Sequence, residues 1–219
     1  MEKRRAGKTS EAGFTLVELA IVLVIIGLIL GAVLKGQEQI NNAKAKRIQN
    51  DLKGFEAMLW TYYDRKNYFP GDCNQNGTIG YNAPNNVTGG TPSNNTDPTA
   101  DYCATTATGE NNVNRAFSDM RVVNVAPYGQ PNILLAKHNF NGYFNIGYAT
   151  IGTTTYNAIF IYSIPAWMAK MIDVSIDGTE DGTTGRVRRH DISDAGDAWP
   201  ADTNNNDLVS LAYFFDRTP

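Results

Sequence analysis

From Phe14 to Leu34 the chain runs for 21 residues in which only Thr15 and Glu18 are polar. As a helix rising about 1.5 Å per residue, that run covers roughly 31 Å, the hydrocarbon thickness of a bilayer. It reads as a membrane-spanning helix. Glu18 is the anomaly within it, because a carboxylate held at membrane depth is costly and needs a partner or a task. Ahead of the run lie Lys3, Arg4, Arg5 and Lys8, which give the basic-then-apolar order of an export signal. Gly31-Ala32-Val33 makes a poor cleavage site, since the helical pattern continues through it, so the apolar segment is expected to stay on the chain.

At Gly13-Phe14-Thr15-Leu16-Val17-Glu18 the sequence resembles the type IV pilin superfamily, which includes the pseudopilins of type II secretion. The resemblance implies cleavage between Gly13 and Phe14 by a prepilin peptidase and N-methylation of Phe14. It also implies that Glu18 and Phe14 serve assembly. The fold to expect is α+β, a long N-terminal helix packed on an antiparallel sheet of about four strands. The subunit would sit as a single-pass protein in the inner membrane, meet an assembly platform there, and enter a periplasmic pseudopilus or cell-surface pilus. Its partners would be copies of itself or other pilin subunits. Lys35 stands where many pilins have a proline, which weakens a reading as the main shaft subunit.

The expected organisation is a leader at 1–13, a transmembrane and filament-core helix at 14–34, an amphipathic stem at 35–66, and an extracytoplasmic α+β domain at 67–219. The chain holds 19 Lys and Arg against 22 Asp and Glu, and loss of the leader leaves 15 against 20. That acidic balance argues against nucleic acid as a partner. The two cysteines, Cys73 and Cys103, fit one disulfide in an oxidising compartment or two buried thiols. Basic residues flank the apolar run on both sides, so charge does not set its orientation.

Beyond Leu34 the apolar residues Ile48, Leu52, Phe55, Leu59 and Tyr62 fall at spacings of 4 and 3, with Ile40 and Ala43 before them. This is one stripe along a helix that continues to about Arg65. Gly27 and Gly31 form a small-xxx-small pair suited to close helix approach in membranes. Phe69-Pro70-Gly71-Asp72 stops the helix. Residues 74–114 are rich in Asn, Thr, Gly and Pro and read as a long surface loop closed by the cysteines. A short helix is expected at 114–120, then strands at 121–125, 143–151, 156–161 and 208–215, with a helix at 165–172 and a further strand at 186–189.

No catalytic constellation is present: there are two histidines, no GxSxG, no CxxC and no phosphate-cradling glycine loop. The chain is therefore read as a structural subunit and not an enzyme. Rival readings are a minor pilin for DNA uptake or adhesion, and a membrane-anchored periplasmic ligand-binding or enzymatic domain. Asp72, Asn74 and Asn76 have the D-x-N-x-N-G order of an EF-hand calcium loop, but Ala83 occupies the twelfth position, where the bidentate carboxylate belongs. Calcium aided by Asp177 or Asp181, and an ordinary Asn-Gly turn, both remain open.

Overall fold

The computed structural model describes residues 15–103, 109–194 and 196–219. It divides into two compact units, residues 1–43 and 44–219. Helix α1 (Leu16–Lys66) is 51 residues long. Among the described residues of the first unit its apolar side chains are exposed, Leu16 to 88 % and Leu23 to 69 %, which in a soluble protein would be an aggregation hazard and in a bilayer is the requirement.

In the second unit, α1 buries Ala45, Ile48, Leu52, Phe55, Leu59 and Tyr62. The stripe thus begins at Ala45, whereas Ile40 and Ala43, expected to precede it, are exposed. Three helices follow in part between strands: α2 (Arg115–Val122), α3 (Asn132–Ala136) and α4 (Ala166–Asp177). The strands β1 (Phe144–Ile151), β2 (Thr154–Pro165), β3 (Val187–Arg189) and β4 (Leu208–Phe214) form one antiparallel sheet in the order β1-β2-β4-β3. The α+β class read from the sequence is the class observed.

Strand β2 sits centrally, and its residues alternate between two cores. Ile159, Ile161 and Ile164 join the α1 side, together with Val209, Leu211 and Tyr213 of β4. Ala158, Phe160 and Tyr162 face the opposite side with Ala212 and Phe214. A strand apolar on both faces needs cover on both. The second cover comes from the segment expected to be a surface loop: Ile79, Tyr81 and Ala83 are buried, and Tyr81 and Ala83 join the far core. Gly147 makes this docking possible, since a Cβ there would collide with the Tyr81 carbonyl. The Tyr148 N–H instead donates to that carbonyl at 2.9 Å. Gly89 lies likewise against the ring of Tyr162.

Residues 121–125, expected to be a strand, are the end of α2 and its exit turn. Val122, Val123 and Val125 suggest a strand locally, but Ala116, Phe117 and Met120 bury at helical spacing and carry the helix to Val122. Asn124, at φ 56°, then turns the chain. The fourth strand of the sheet is β3.

Candidate processing and assembly segment

Gly13 and Phe14, the expected processing residues, lie outside the described residues. Just beyond them the helix start is built by a reciprocal pair. The Glu18 carboxylate accepts from the Thr15 N–H and hydroxyl, both at 2.8 Å, while the Glu18 N–H donates to Thr15 Oγ1 at 3.3 Å. This is a capping box: each side chain satisfies a backbone or hydroxyl donor that the helix start leaves free. The Thr-x-x-Glu spacing was its signal in the sequence. Glu18 is thus occupied locally and exposed, at the mouth of a helix whose hydropathy is high enough to cross a membrane. Farther along, a Cβ added at Gly27 or Gly31 would meet nothing within 4 Å, so the small face is open to another helix. At Lys35 the helix passes unbroken, and Lys35 Nζ reaches Glu38 at 3.4 Å.

The two cysteines form a disulfide, Cys73–Cys103, with Cα atoms 5.1 Å apart and a sequence separation of 30. Asp119, buried on α2, braces the base of the closed loop. One of its oxygens accepts from the Gly71 N–H at 2.7 Å and the other from the Cys103 N–H at 2.8 Å. Burial pushes its carboxyl above the usual range, and the two amide bonds pull it back. Arg121, fully buried, holds the same loop from within. Its guanidinium donates to the carbonyls of Thr96 and Tyr128 and to Asn132 Oδ1. Neither Asp119 nor Arg121 could be assigned these tasks from the sequence, because nothing in their spacing announces the distant amides and carbonyls they meet.

The candidate calcium residues are placed in two regions, the turn after α1 and the end of α4 with the loop behind it, each engaged with nearby backbone amides or hydroxyls. Asp72 Oδ1 accepts from the Asn76 N–H at 3.0 Å and Oδ2 from the Gly77 N–H at 2.9 Å. Asn74 Oδ1 accepts from Asn76 and Asn76 Oδ1 from Thr78. The alternating oxygens therefore form nested Asx turns, the same pattern with backbone amides in place of an ion. Asp177 Oδ2 accepts from Val187, and Asp181 accepts from Thr183 and Thr184. Among the described residues no group of three or more His, Cys, Asp or Glu is set to hold a metal ion. As folded, the Asp72, Asn74, Asn76, Asp177 and Asp181 oxygens meet backbone amides and threonine hydroxyls.

Two further buried titratable groups, His138 and Asp173, are tied to the backbone and to side chains around them. Buried His138 accepts from the Phe140 N–H at Nδ1, and its Nε2 lies 2.7 Å from the Tyr162 carbonyl, which fits the neutral ring with the proton on Nε2. Burial lowers its pKa to about 4. Asp173 is fully buried on α4. Its Oδ2 accepts from Trp199 Nε1 at 2.7 Å and the Asp181 N–H at 2.8 Å, whereas Oδ1 has no hydrogen-bond partner among the described residues. Desolvation raises its pKa to about 6, with Asp177 and Asp181 adding repulsion.

No curated protein and no solved structure matches the chain. The model of the prokaryotic N-terminal methylation motif matches residues 8–34. That motif implies processing by a prepilin peptidase and assembly into pilus-like polymers, and with the apolar helix it is consistent with membrane anchoring before assembly. Over residues 8–34, where the capping box and the exposed apolar helix lie, the chain carries the signature of the type IV pilins and pseudopilins.

Proposed function

We propose that this chain is a structural subunit of a type IV pilus or a type II secretion pseudopilus, stored in the inner membrane with residues 44–219 outside the cytoplasm. The observation that carries this reading is the methylation motif, whose match at residues 8–34 takes in the exposed apolar first part of α1. The Cys73–Cys103 disulfide supports an oxidising compartment for the second unit. Cleavage after Gly13 frees the Phe14 amine four residues before Glu18. In a filament core the headgroups that tolerate the Glu18 charge are gone, and the carboxylate must meet a cation or take up a proton. The methylated Phe14 amine of a neighbouring subunit is that cation, and the pair selects one axial register. Assembly then requires Glu18 to exchange its Thr15 contacts for an intermolecular one.

The test is mass spectrometry of the N-terminus of the protein purified from filaments. Methylated Phe14 is expected; an intact leader, or cleavage elsewhere, would overturn the reading. A minor subunit is the second reading, favoured by Lys35 at the position where many shaft pilins have proline. Stoichiometry in the purified filament separates the two.

A further inference from the structure

Where α1 ends, a cavity of about 290 Å³ opens beside the Asp72 turn. One wall is aromatic: the rings of Tyr63 and Phe69 are 4.8 Å apart and tilted by 39°. The rim is amide, supplied by Asn67, Gln75 and Asn76. Asp72 is the acidic group in the lining, and it is buried with both oxygens already accepting backbone N–H groups. Among the described residues the Asn67 and Gln75 side chains make no hydrogen bond, and Asn76 uses its Oδ1 alone. Asn67, directly after α1, and Gln75 stand at φ 62° and 58°, in the left-handed region that glycine enters freely. Glycine would suit both positions, and in its place each presents a carboxamide to the cavity edge.

This chemistry selects among ligands. An anion finds no cation in the lining, and a cation finds no uncommitted carboxylate. A wholly apolar ligand would leave the carboxamides desolvated and unpaired. A carboxamide both donates and accepts, as a sugar hydroxyl does, and an aromatic wall suits the C–H face of a six-membered sugar ring. The volume is at the small end of ligand pockets, near that of a single ring. We propose that this cavity binds a neutral pyranose, either free or as the terminal ring of a glycan chain. The site lies in the second unit, and its occupancy does not depend on filament assembly.

The experiment uses the full-length chain in a zwitterionic detergent without a sugar headgroup. Saturation-transfer NMR is recorded with methyl glucopyranoside, methyl galactopyranoside, N-acetylglucosamine and a trisaccharide of whichever sugar responds. At least one monosaccharide is expected to receive saturation on its ring protons, and in the trisaccharide the terminal ring is expected to receive most of it. Equal affinity for monosaccharide and trisaccharide indicates a free sugar, and tighter binding of the trisaccharide indicates a chain end; either outcome supports the site. The variant N67G/Q75G removes two carboxamides at positions whose backbone already suits glycine, so its fold is retained. It should weaken binding by about tenfold or more, the loss of two hydrogen-bonding partners. Tyr63→Leu should abolish transfer by removing the stacking wall. No transfer to any sugar, wild-type transfer in both variants, or saturation spread evenly along the trisaccharide would each overturn the proposal.

Discussion

Glu18 has one partner in the free subunit and, in the proposed filament, another. Glu18→Ala loses both and is expected to be cleaved and inserted normally but incorporated poorly. Glu18→Asp should be intermediate, because its shorter side chain falls short of the amine. Glu18→Gln separates the two contacts: a glutamine still closes the capping box but cannot pair with a cation. It should keep the helix start and assemble as poorly as Glu18→Ala, measured as the fraction of subunit in sheared filaments. Asp173 makes a different prediction at the same scale. Its folded pKa, raised to about 6, means that its contribution to stability is present below the ordinary carboxylate range and is lost as pH rises through about 6. His138 runs the other way: its pKa is lowered to about 4, so its contribution is present above its ordinary value and lost as pH falls toward 4. Asp173→Asn should therefore gain melting temperature relative to wild type from about pH 4 to pH 7, with the difference largest at the upper end. A pH-independent difference would contradict the assignment. The Thr-x-x-Glu spacing carries the capping box in the sequence, yet there Glu18 stood out only as a charge in an apolar run. The burial of Asp173 was not legible at all, because its partners Trp199 and Asp181 come from later in the chain.

At the scale of elements, the stem of α1 is an amphipathic helix whose stability comes from its packed stripe. Leu59, with no exposed surface toward the C-terminal end of that stripe, should cost about 2–5 kcal/mol when changed to alanine, read from chemical denaturation. The stripe was legible because helical period is a local property, although its first member was not: Ala45 is buried and Ile40 is exposed, which depends on where the sheet domain begins to cover the helix. The disulfide-closed loop is held at its base by two devices, one covalent and one hydrogen-bonded. Loss of Cys73–Cys103 should cost roughly 3–4 kcal/mol in the chain-entropy view. Asp119→Ala should cost about 1–3 kcal/mol by leaving the Gly71 and Cys103 amides without their acceptor. Because Asp119 binds the amide of Cys103 itself, the two losses should not add, and a double-mutant cycle reads the coupling. An additive cycle would mean that the loop base is not one unit.

For the whole molecule, the first part of α1, apolar to Leu34 apart from Glu18, is exposed, whereas residues 44–219 close around two cores. Protease added to spheroplasts should therefore degrade the second unit and spare a membrane-retained N-terminal fragment; protection of the whole chain would contradict the proposed orientation. The sequence by itself determined the apolar helix, the processing motif, the stem stripe and the α+β class, whereas the disulfide that it left beside two free thiols is decided by the fold. What it determined is written in runs, periods or spacings that neighbouring residues complete among themselves. It misread residues 121–125 as a strand, because three valines bias the backbone locally while Phe117 and Met120 bind it into a helix through the core. It also read residues 74–114 as surface, because their composition is polar on average. Only the tertiary structure decided that Tyr81 and Ala83 close the far face of the sheet, since β2 is apolar on both sides and Gly147 leaves room for the Tyr81 backbone. The same limit applies to Asp72, whose D-x-N-x-N spacing is shared by an ion loop and by nested Asx turns. The folded positions of the Asn76 and Gly77 amides, which occupy its oxygens, favour the turns.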